Sequence, residues 1–377
     1  MNGFKSLAKE DLIKQSLKEL YTSFGYGQYR MGKFEPYDMY RENINFLKSD
    51  TVITFTDKTG KLMALKPDVT MSIVKSIRPD DVSKKLFYIE NVFRMTSGSG
   101  EYREISQIGL ESVGECDCFR QAEVIALAAK TLETIDSEWL ICLSHMGFIS
   151  AVFDICGFDR DTAAKAAEAL SSRNKAQLLS LAGKNTVTDK TLKLLETLVS
   201  LSSPVGEAVE TLRSLSAGEK MNAAVNEIEA LFGALSRAAD PDRIKLDFTL
   251  VNDLDYYTGV VFRGFIKNLP RAVLSGGRYD NLMRKFNKPQ SAVGFALYLG
   301  EIPRLFSEDE SCDADILLIY DDASAPLVMS VADDLVKTGK SVRTEKNRPN
   351  GISARQTYRL LPDGTTEVEP LDQHSAS

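Results

Sequence analysis

Four short segments carry side chains whose types and spacing could do chemistry. The first is Leu65-Lys66-Pro67-Asp68-Val69-Thr70. Pro67 and Asp68 break a strand, and Asp68 and Thr70 can point together at the start of the next helix. A plain helix N-cap at either residue accounts for the same pattern. The second segment carries Arg94, Gln107 and Glu111. Alternate residues of a strand share a face, so Gln107 and Glu111 project together, with Gly109 between them leaving space above the sheet. Because polar groups are costly to bury without partners, the pair suits a small polar ligand lying on the sheet. A solvated sheet face is the alternative. The third, Asp253-Leu254-Asp255-Tyr256-Tyr257-Thr258-Gly259, offers flat apolar walls with hydroxyl handles, or ordinary strand aromatics. The fourth joins Leu274-Ser275-Gly276-Gly277-Arg278-Tyr279-Asp280 to Ala292-Val293-Gly294-Phe295-Ala296, whose glycines let backbone approach a ligand or simply form a Gly-Gly turn.

These residues need elements to hold them. Residues 6–24 place Leu12, Ile13, Leu17, Leu20, Tyr21 and Phe24 on one helical face, with Gly25 as a stop. Thr51–Thr56 and Lys61–Leu65 flank a hairpin turn at Asp57-Lys58-Thr59-Gly60. Leu86–Arg94 and Arg103–Gly114 read as two long antiparallel strands around a Ser/Gly-rich tip. Asp117–Ile135 has helical spacing, Trp139–Leu143 reads as a buried strand, and residues 150–236 read as helical almost throughout. Strand character returns at Ile244, Leu246, Phe248 and Leu250 and continues through Asp255–Phe265. The spacing predicts a helix over Ala292–Ile302, ended by Pro303. Beyond it come a strand at Ala314–Tyr320, a helix at Ala325–Lys337, a strand at Ser341–Thr344 and a terminal hairpin. Antiparallel strands with helices grouped apart predict an α+β fold rather than a doubly wound parallel one. The expected domains are 1–312, with a helical insertion at about 150–236, and a small α/β unit at 313–377.

Composition removes several function classes. At 377 residues the chain is long enough for two or three folded units, and 43% hydrophobic residues can fill a full core. The 46 Lys and Arg against 53 Asp and Glu leave a net charge of −7, which argues against a partner held mainly by phosphate charge. Cys116, Cys118, Cys142, Cys156 and Cys312 include no CxxC pair, and His145 and His374 are the two histidines, so plain intracellular thiols are expected and no metal site. Residues 1–12 carry charges where a signal peptide needs an apolar run, and no apolar stretch is long enough to span a bilayer; a soluble cytoplasmic protein is expected. The chain has no P-loop and no internal repeat. Gly98-Ser99-Gly100 sits at a hairpin tip rather than opening a helix, so it is no dinucleotide fingerprint.

Taken in order, the segments resemble the catalytic domain of histidyl-tRNA synthetase, a class II aminoacyl-tRNA synthetase, over residues 5–306. Phe34-Glu35-Pro36 resembles its dimer-forming first motif, and Phe93-Arg94 through Gln107-Ile108-Gly109-Leu110-Glu111 its second-motif hairpin. Leu254-Asp255-Tyr256-Tyr257-Thr258-Gly259 and Gly276-Gly277-Arg278-Tyr279-Asp280 resemble the two histidine-specific signatures. The resemblance implies a class II synthetase-like antiparallel sheet flanked by helices. It also implies a histidine pocket of Asp68, Thr70, Arg94, Gln107, Glu111, Tyr256 and Tyr257. In it Asp68 (for the usual glutamate), Thr70 and Gln107 hold the α-amino group, while Glu111 and Tyr257 read the imidazole. Carboxylates and an amide suit an ammonium and an imidazole N–H.

The nucleotide side departs from the family. Thr96 stands where a glutamate meets the adenosine end, Glu101 where a loop arginine contacts phosphate, and Asn252 and Asp253 where the catalytic arginine and a glycine are expected. Tyr298-Leu299-Gly300-Glu301 replaces Gly-Leu-Glu-Arg, so a second phosphate arginine is also a glutamate. Each reversal beside a triphosphate disfavours binding by on the order of several kcal/mol, and adenylate formation relies on such cations.

A kept histidine pocket beside a lost nucleotide site resembles the regulatory subunits of ATP phosphoribosyltransferase. That resemblance implies a protein with no catalytic residues, metal or cofactor of its own. It would join a short-form catalytic subunit as a homodimer within a hetero-oligomer and confer sensitivity to L-histidine on the first step of histidine biosynthesis. Residues 313–377 look too short for an anticodon-binding domain and carry recurring acids (Asp313, Asp315, Asp321, Asp322, Asp333, Asp334) in place of a basic stripe, which argues against tRNA. The alternatives are a divergent histidyl-tRNA synthetase and a synthetase-like protein binding RNA or a kinase-like partner.

Overall fold

The computed structural model describes residues 3–43, 47, 52–95, 100–183, 187–251, 256–300, 302, 312–349 and 351–369. In chain order the elements begin α1 (Gly3–Ser23), β1 (Gly27–Gln28), β2 (Phe34–Pro36), α2 (Asp38–Arg41), β3 (Thr54–Thr56), β4 (Leu62–Leu65), α3 (Thr70–Ser76), β5 (Lys84–Met95) and β6 (Tyr102–Gly114). Next come α4 (Cys118–Ile135), β7 (Trp139–His145), α5 (Met146–Ile155), α6 (Arg160–Ser171), α7 (Lys175–Ala182), α8 (Asp189–Ser200), β8 (Ser203–Pro204), α9 (Val205–Leu215) and α10 (Glu219–Leu235). The remainder is β9 (Ile244–Leu246), β10 (Val260–Ile266), β11 (Leu274–Arg278), α11 (Asp280–Lys285), β12 (Ser291–Tyr298), β13 (Ala314–Ile319), α12 (Ala325–Lys337), β14 (Val342–Glu345), β15 (Ala354–Leu360) and β16 (Thr366–Glu369). Among the described residues no helix is long and apolar enough to cross a membrane.

The chain divides into two compact units, Ala8–Leu305 and Phe306–Ser377 taken together with Met1–Leu7. The larger unit is built on a nine-stranded sheet in the order β1-β5-β6-β12-β11-β10-β7-β9-β8. Its middle six strands are all antiparallel to their neighbours, while β1 on β5 and β9 on β7 run parallel. This is the expected α+β class. One sheet face is closed by helices: Tyr21 of α1 stands edge-on to Phe295 of β12 and shares a 2.8 Å hydrogen bond with Thr131 of α4. The Asp57-Lys58-Thr59-Gly60 turn forms as expected, with Asp57 Oδ1 accepting the Thr59 N–H at 2.8 Å and Gly60 at φ +81°. β2, β4 and β3 make a separate three-stranded sheet.

Four expectations are corrected. Ala292–Ile302 is not a helix: residues 291–298 are strand β12, wedged between β6 and β11. Its alternation of small Ala292, Gly294 and Ala296 with buried Val293, Phe295 and Leu297 is a period of two, and two strand partners override the helix propensity of Ala and Leu. Pro303 lies outside the described residues. On α1 the buried stripe is Ile13, Leu17 and Tyr21, four residues apart, whereas Leu12 is 67% exposed and Phe24, beyond the helix end, is 40% exposed. The strand at Ile244 stops at Leu246, because Asp247 turns the chain by accepting the Thr249 N–H at 2.9 Å; Phe248 and Leu250 are buried nonetheless. The strand expected from Asp255 starts at Val260, and Asp255 itself lies outside the described residues.

The smaller unit has a sheet in the order β14-β13-β15-β16, parallel except for β16, with α12 as the crossover between β13 and β14. Leu318, Val328 and Leu360 are its core, backed by Leu327, Val331 and Leu335 of the helix. Its acids are spent locally: Asp313 Oδ2 accepts the Ser353 N–H at 2.8 Å, Asp315 Oδ2 the Ser341 N–H at 2.9 Å, and Asp321 pairs with Arg359.

Candidate functional site

The open face of the large sheet has a floor of small residues with polar posts rising from it. Gln107, Gly109 and Glu111 of β6 share this face. Register places Tyr88 of β5 opposite Gly109, and on β12 Tyr298, Ala296 and Gly294 opposite Gln107, Gly109 and Glu111. On β11, Ser275 and Gly277 continue the row opposite Ala296 and Gly294. Gly294 is required: a Cβ there would sit 1.8 Å from Glu111 Oε2 and 2.5 Å from the Leu110 carbonyl oxygen. The space expected above Gly109 is instead filled by Tyr88, whose ring atom Cζ would lie 2.0 Å from a Cβ at that position.

A narrow cleft opens over this floor, with about 410 Å³ of empty space counted out to its mouth. All seven residues singled out in the sequence, Asp68, Thr70, Arg94, Gln107, Glu111, Tyr256 and Tyr257, line it, together with Tyr88, Tyr279 and Tyr298. Tyr256 and Tyr257 stand edge to face at 4.6 Å, and Tyr257 lies on Gly277, where a Cβ would come within 2.7 Å of its ring.

Glu111 is 2% exposed, so its carboxylate needs donors. Thr70 Oγ1 donates to Oε1 at 2.7 Å, and the Tyr279 hydroxyl donates to Oε2 at 2.6 Å. Burial first, and then the neighbouring Glu111 charge, push the Tyr279 hydroxyl well above its ordinary range, so it remains a donor at any ordinary pH. Burial does the same to Tyr88 and Tyr256. Asp68 fulfils its simpler reading too: its Oδ1 accepts the Met71 N–H at 2.9 Å in the first turn of α3. Arg94 donates through Nε to the Pro67 carbonyl at 2.9 Å and brings Nη2 to 3.7 Å from Asp68 Oδ2, fixing the strand break against the hairpin. Behind the cleft, Lys66 is buried in an ion pair with Glu90. Glu35, in the first-motif segment, accepts from Tyr40 and Ser72, tying β2 to α3.

The arrangement can take up a small cationic or N–H-rich ligand between two carboxylates. Among the described residues no group of three or more His, Cys, Asp or Glu is placed to hold a metal. Burial raises the Cys116 thiol to about 12 and the Cys142 and Cys156 thiols to about 11, leaving poor nucleophiles. Sequence reasoning missed Tyr88 and passed over Tyr279 as a site residue. Setting the hairpin tip midway between Arg94 and Arg103 would have put Tyr88 across from Gly109. On the nucleotide side, Glu101 is exposed with its carboxylate 3.5 Å from Arg103; Thr96, Asn252, Asp253, Leu254, Asp255 and Glu301 lie outside the described residues.

Comparison with known proteins agrees with this architecture. An ATP phosphoribosyltransferase regulatory subunit of Ruminiclostridium cellulolyticum is 23% identical over 351 residues, covering 90% of this chain and 84% of that protein. A solved ATP phosphoribosyltransferase regulatory subunit/histidyl-tRNA synthetase from Bacillus halodurans C superposes with a TM-score of 0.75 at 24% identity, over 92% of this chain and 89% of that one. A chain of the ATP phosphoribosyl transferase (HisG:HisZ) complex from Thermotoga maritima gives 0.60 at 19% identity, over 77% and 97%. The sequence model described as histidyl-tRNA synthetase matches residues 5–302, most of the chain and all of the cleft, and the chain belongs to the histidyl-tRNA synthetase family.

Proposed function

We propose that the chain is a non-catalytic regulatory subunit of ATP phosphoribosyltransferase. In this reading it joins a short-form catalytic subunit in a cytoplasmic hetero-oligomer, and L-histidine in the cleft gives feedback control of the first step of histidine biosynthesis. The observation that carries the ligand is Glu111, a buried carboxylate already holding two hydroxyl donors and lining the cleft. An ionised acceptor so placed favours a ligand N–H. The imidazole lies against Glu111 and Tyr257, and the ammonium lies among Asp68, Thr70 and Gln107. Thr70 can accept from the ammonium while donating to Glu111. Arg94 is the cation beside the ligand carboxylate. The partner is supported by the name of the R. cellulolyticum relative and by the T. maritima complex. A self-dimer is supported by Phe34-Glu35-Pro36, and tRNA is disfavoured by the −7 charge.

A divergent histidyl-tRNA synthetase is the second reading, favoured by the description of the matching family model. Glu101, Asn252 and Glu301 in place of cations count against it. Histidine-dependent exchange of pyrophosphate into ATP separates the two. The purified chain is expected to bind L-histidine by calorimetry, to show no exchange, and to co-purify with a short-form phosphoribosyltransferase whose activity becomes histidine-sensitive. Exchange above background would reject the regulatory reading.

A further inference from the structure

A carboxylate of the helical insertion meets the chain next to a cleft residue. Glu227 lies on α10, within the insertion. Its Oε2 accepts from His145 Nε2 at 3.2 Å, its Oε1 accepts from Gln121 Nε2 at 3.1 Å, and Arg278 Nη1 lies 3.8 Å from Oε1. The two donors and the arginine come from the end of β7, from α4 and from the end of β11, so four elements meet at this group. His145 is 3% exposed, and its Nδ1 accepts the Phe148 N–H at 3.1 Å. Nε2 therefore carries the proton, and the ring can satisfy both contacts in one tautomer only.

Arg278 joins this cluster to the cleft through its chain neighbour Tyr279, which lines it. It sits between Gly277, which supports the Tyr257 ring, and Tyr279, whose hydroxyl holds Glu111. Its Nε donates to Asp280 Oδ2 at 2.9 Å, and its carbonyl accepts the Thr258 N–H at 2.9 Å, so it also fixes the turn that follows Tyr257. The backbone of Arg278 is continuous with Tyr279 and with Gly277, which packs so closely under Tyr257 that a Cβ would come within 2.7 Å of its ring, so a displacement of this segment bears on both tyrosines.

We propose that Glu227 is a positioning residue for the cleft, acting through Arg278, so that filling the cleft and seating α10 on the sheet are one coupled equilibrium. The inference rests on the histidine reading and adds its regulation: the insertion is the element through which occupancy is felt elsewhere in the chain. Such coupling is reciprocal, so loosening α10 weakens the ligand and the ligand tightens α10.

The test uses the full chain as wild type, as Glu227→Gln, and as Lys220→Ala, which breaks the exposed 2.8 Å pair between α10 and Asp154 of α5. Histidine affinity is measured by calorimetry, and amide exchange over residues 219–235 is followed with and without saturating L-histidine. Wild type should show slower exchange in α10 with histidine. Glu227→Gln should bind roughly 5- to 20-fold more weakly, within the usual range of site–site coupling, and lose that response. Lys220→Ala should keep both. Equal affinity and protection in wild type and Glu227→Gln would overturn the inference alone, as would equal weakening in both variants, which would make α10 a mere anchor. Absence of histidine binding in wild type would remove the reading of the cleft, and this inference with it.

Discussion

The cleft of the larger unit and the sheet of the smaller one place polar side chains in opposite ways. Gln107, Glu111, Lys66 and Asp280 are all less than a tenth exposed and each sits on or beside the central strands. In the smaller unit Thr357 is the buried polar side chain among the described residues, and the charges, on strands and on α12 alike, are at least partly exposed, where water screens them. Buried polar groups lower stability unless each has a partner. In the larger unit Glu111 finds its partners in Thr70 and Tyr279, and Lys66 finds Glu90, whereas the smaller unit leaves its charges at least partly in water.

The sharpest way to break this comparison is Glu111→Ala. It should reduce histidine affinity at least about 100-fold, in line with about 3 kcal/mol for a buried ionic hydrogen-bond partner, while circular dichroism shows a folded chain. Retained affinity by calorimetry would mean the cleft is structural. Gly294→Ala comes next. The added methyl meets Glu111 and the Leu110 backbone, so it should lower stability by about 1–3 kcal/mol and weaken histidine about tenfold, read by denaturant melts and titration. A smaller effect concerns acid. Glu227 is held at about 2, chiefly by the His145 hydrogen bond, against an ordinary 4.5. A depressed carboxyl stabilises fully above its ordinary value and loses that contribution as pH falls toward the folded value. Unfolding free energy should therefore drop between pH 4.5 and 2, and Glu227→Gln should flatten that slope while lowering stability at neutral pH. The smallest effect on binding belongs to the other region. Leu318→Ala should destabilise the smaller unit by about 2–5 kcal/mol and leave histidine affinity within about twofold; a larger change would mean that the two regions do not behave separately.

Much of the cleft was legible because strand periodicity alone puts Gln107 and Glu111 on one face, and because Pro67-Asp68 breaks a strand wherever it falls. What periodicity cannot supply is the neighbour across the strand. Tyr88 became a cleft residue only through its pairing with Gly109, and Ser291–Tyr298 became a strand because β6 and β11 both pair with it. The small-large alternation from Ala292 to Leu297 has the period of two that belongs to a strand. Leu12 failed for a simpler reason, since one extra apolar residue beside Ile13 falls off a stripe that advances four residues at a time. Glu227 lay beyond any local pattern, because its two donors and its ion-pair partner come from segments distant along the chain.

The Thr70 hydroxyl, set between the amino end of the cleft and Glu111, has one last consequence. A bridge of this kind makes recognition indivisible: whatever settles at one end orients the group that greets the other. Imidazole and glycine, each offering half of the message, should register more faintly than their shared atoms suggest. On the proposed reading, such a gauge would respond to the finished amino acid more strongly than to its fragments.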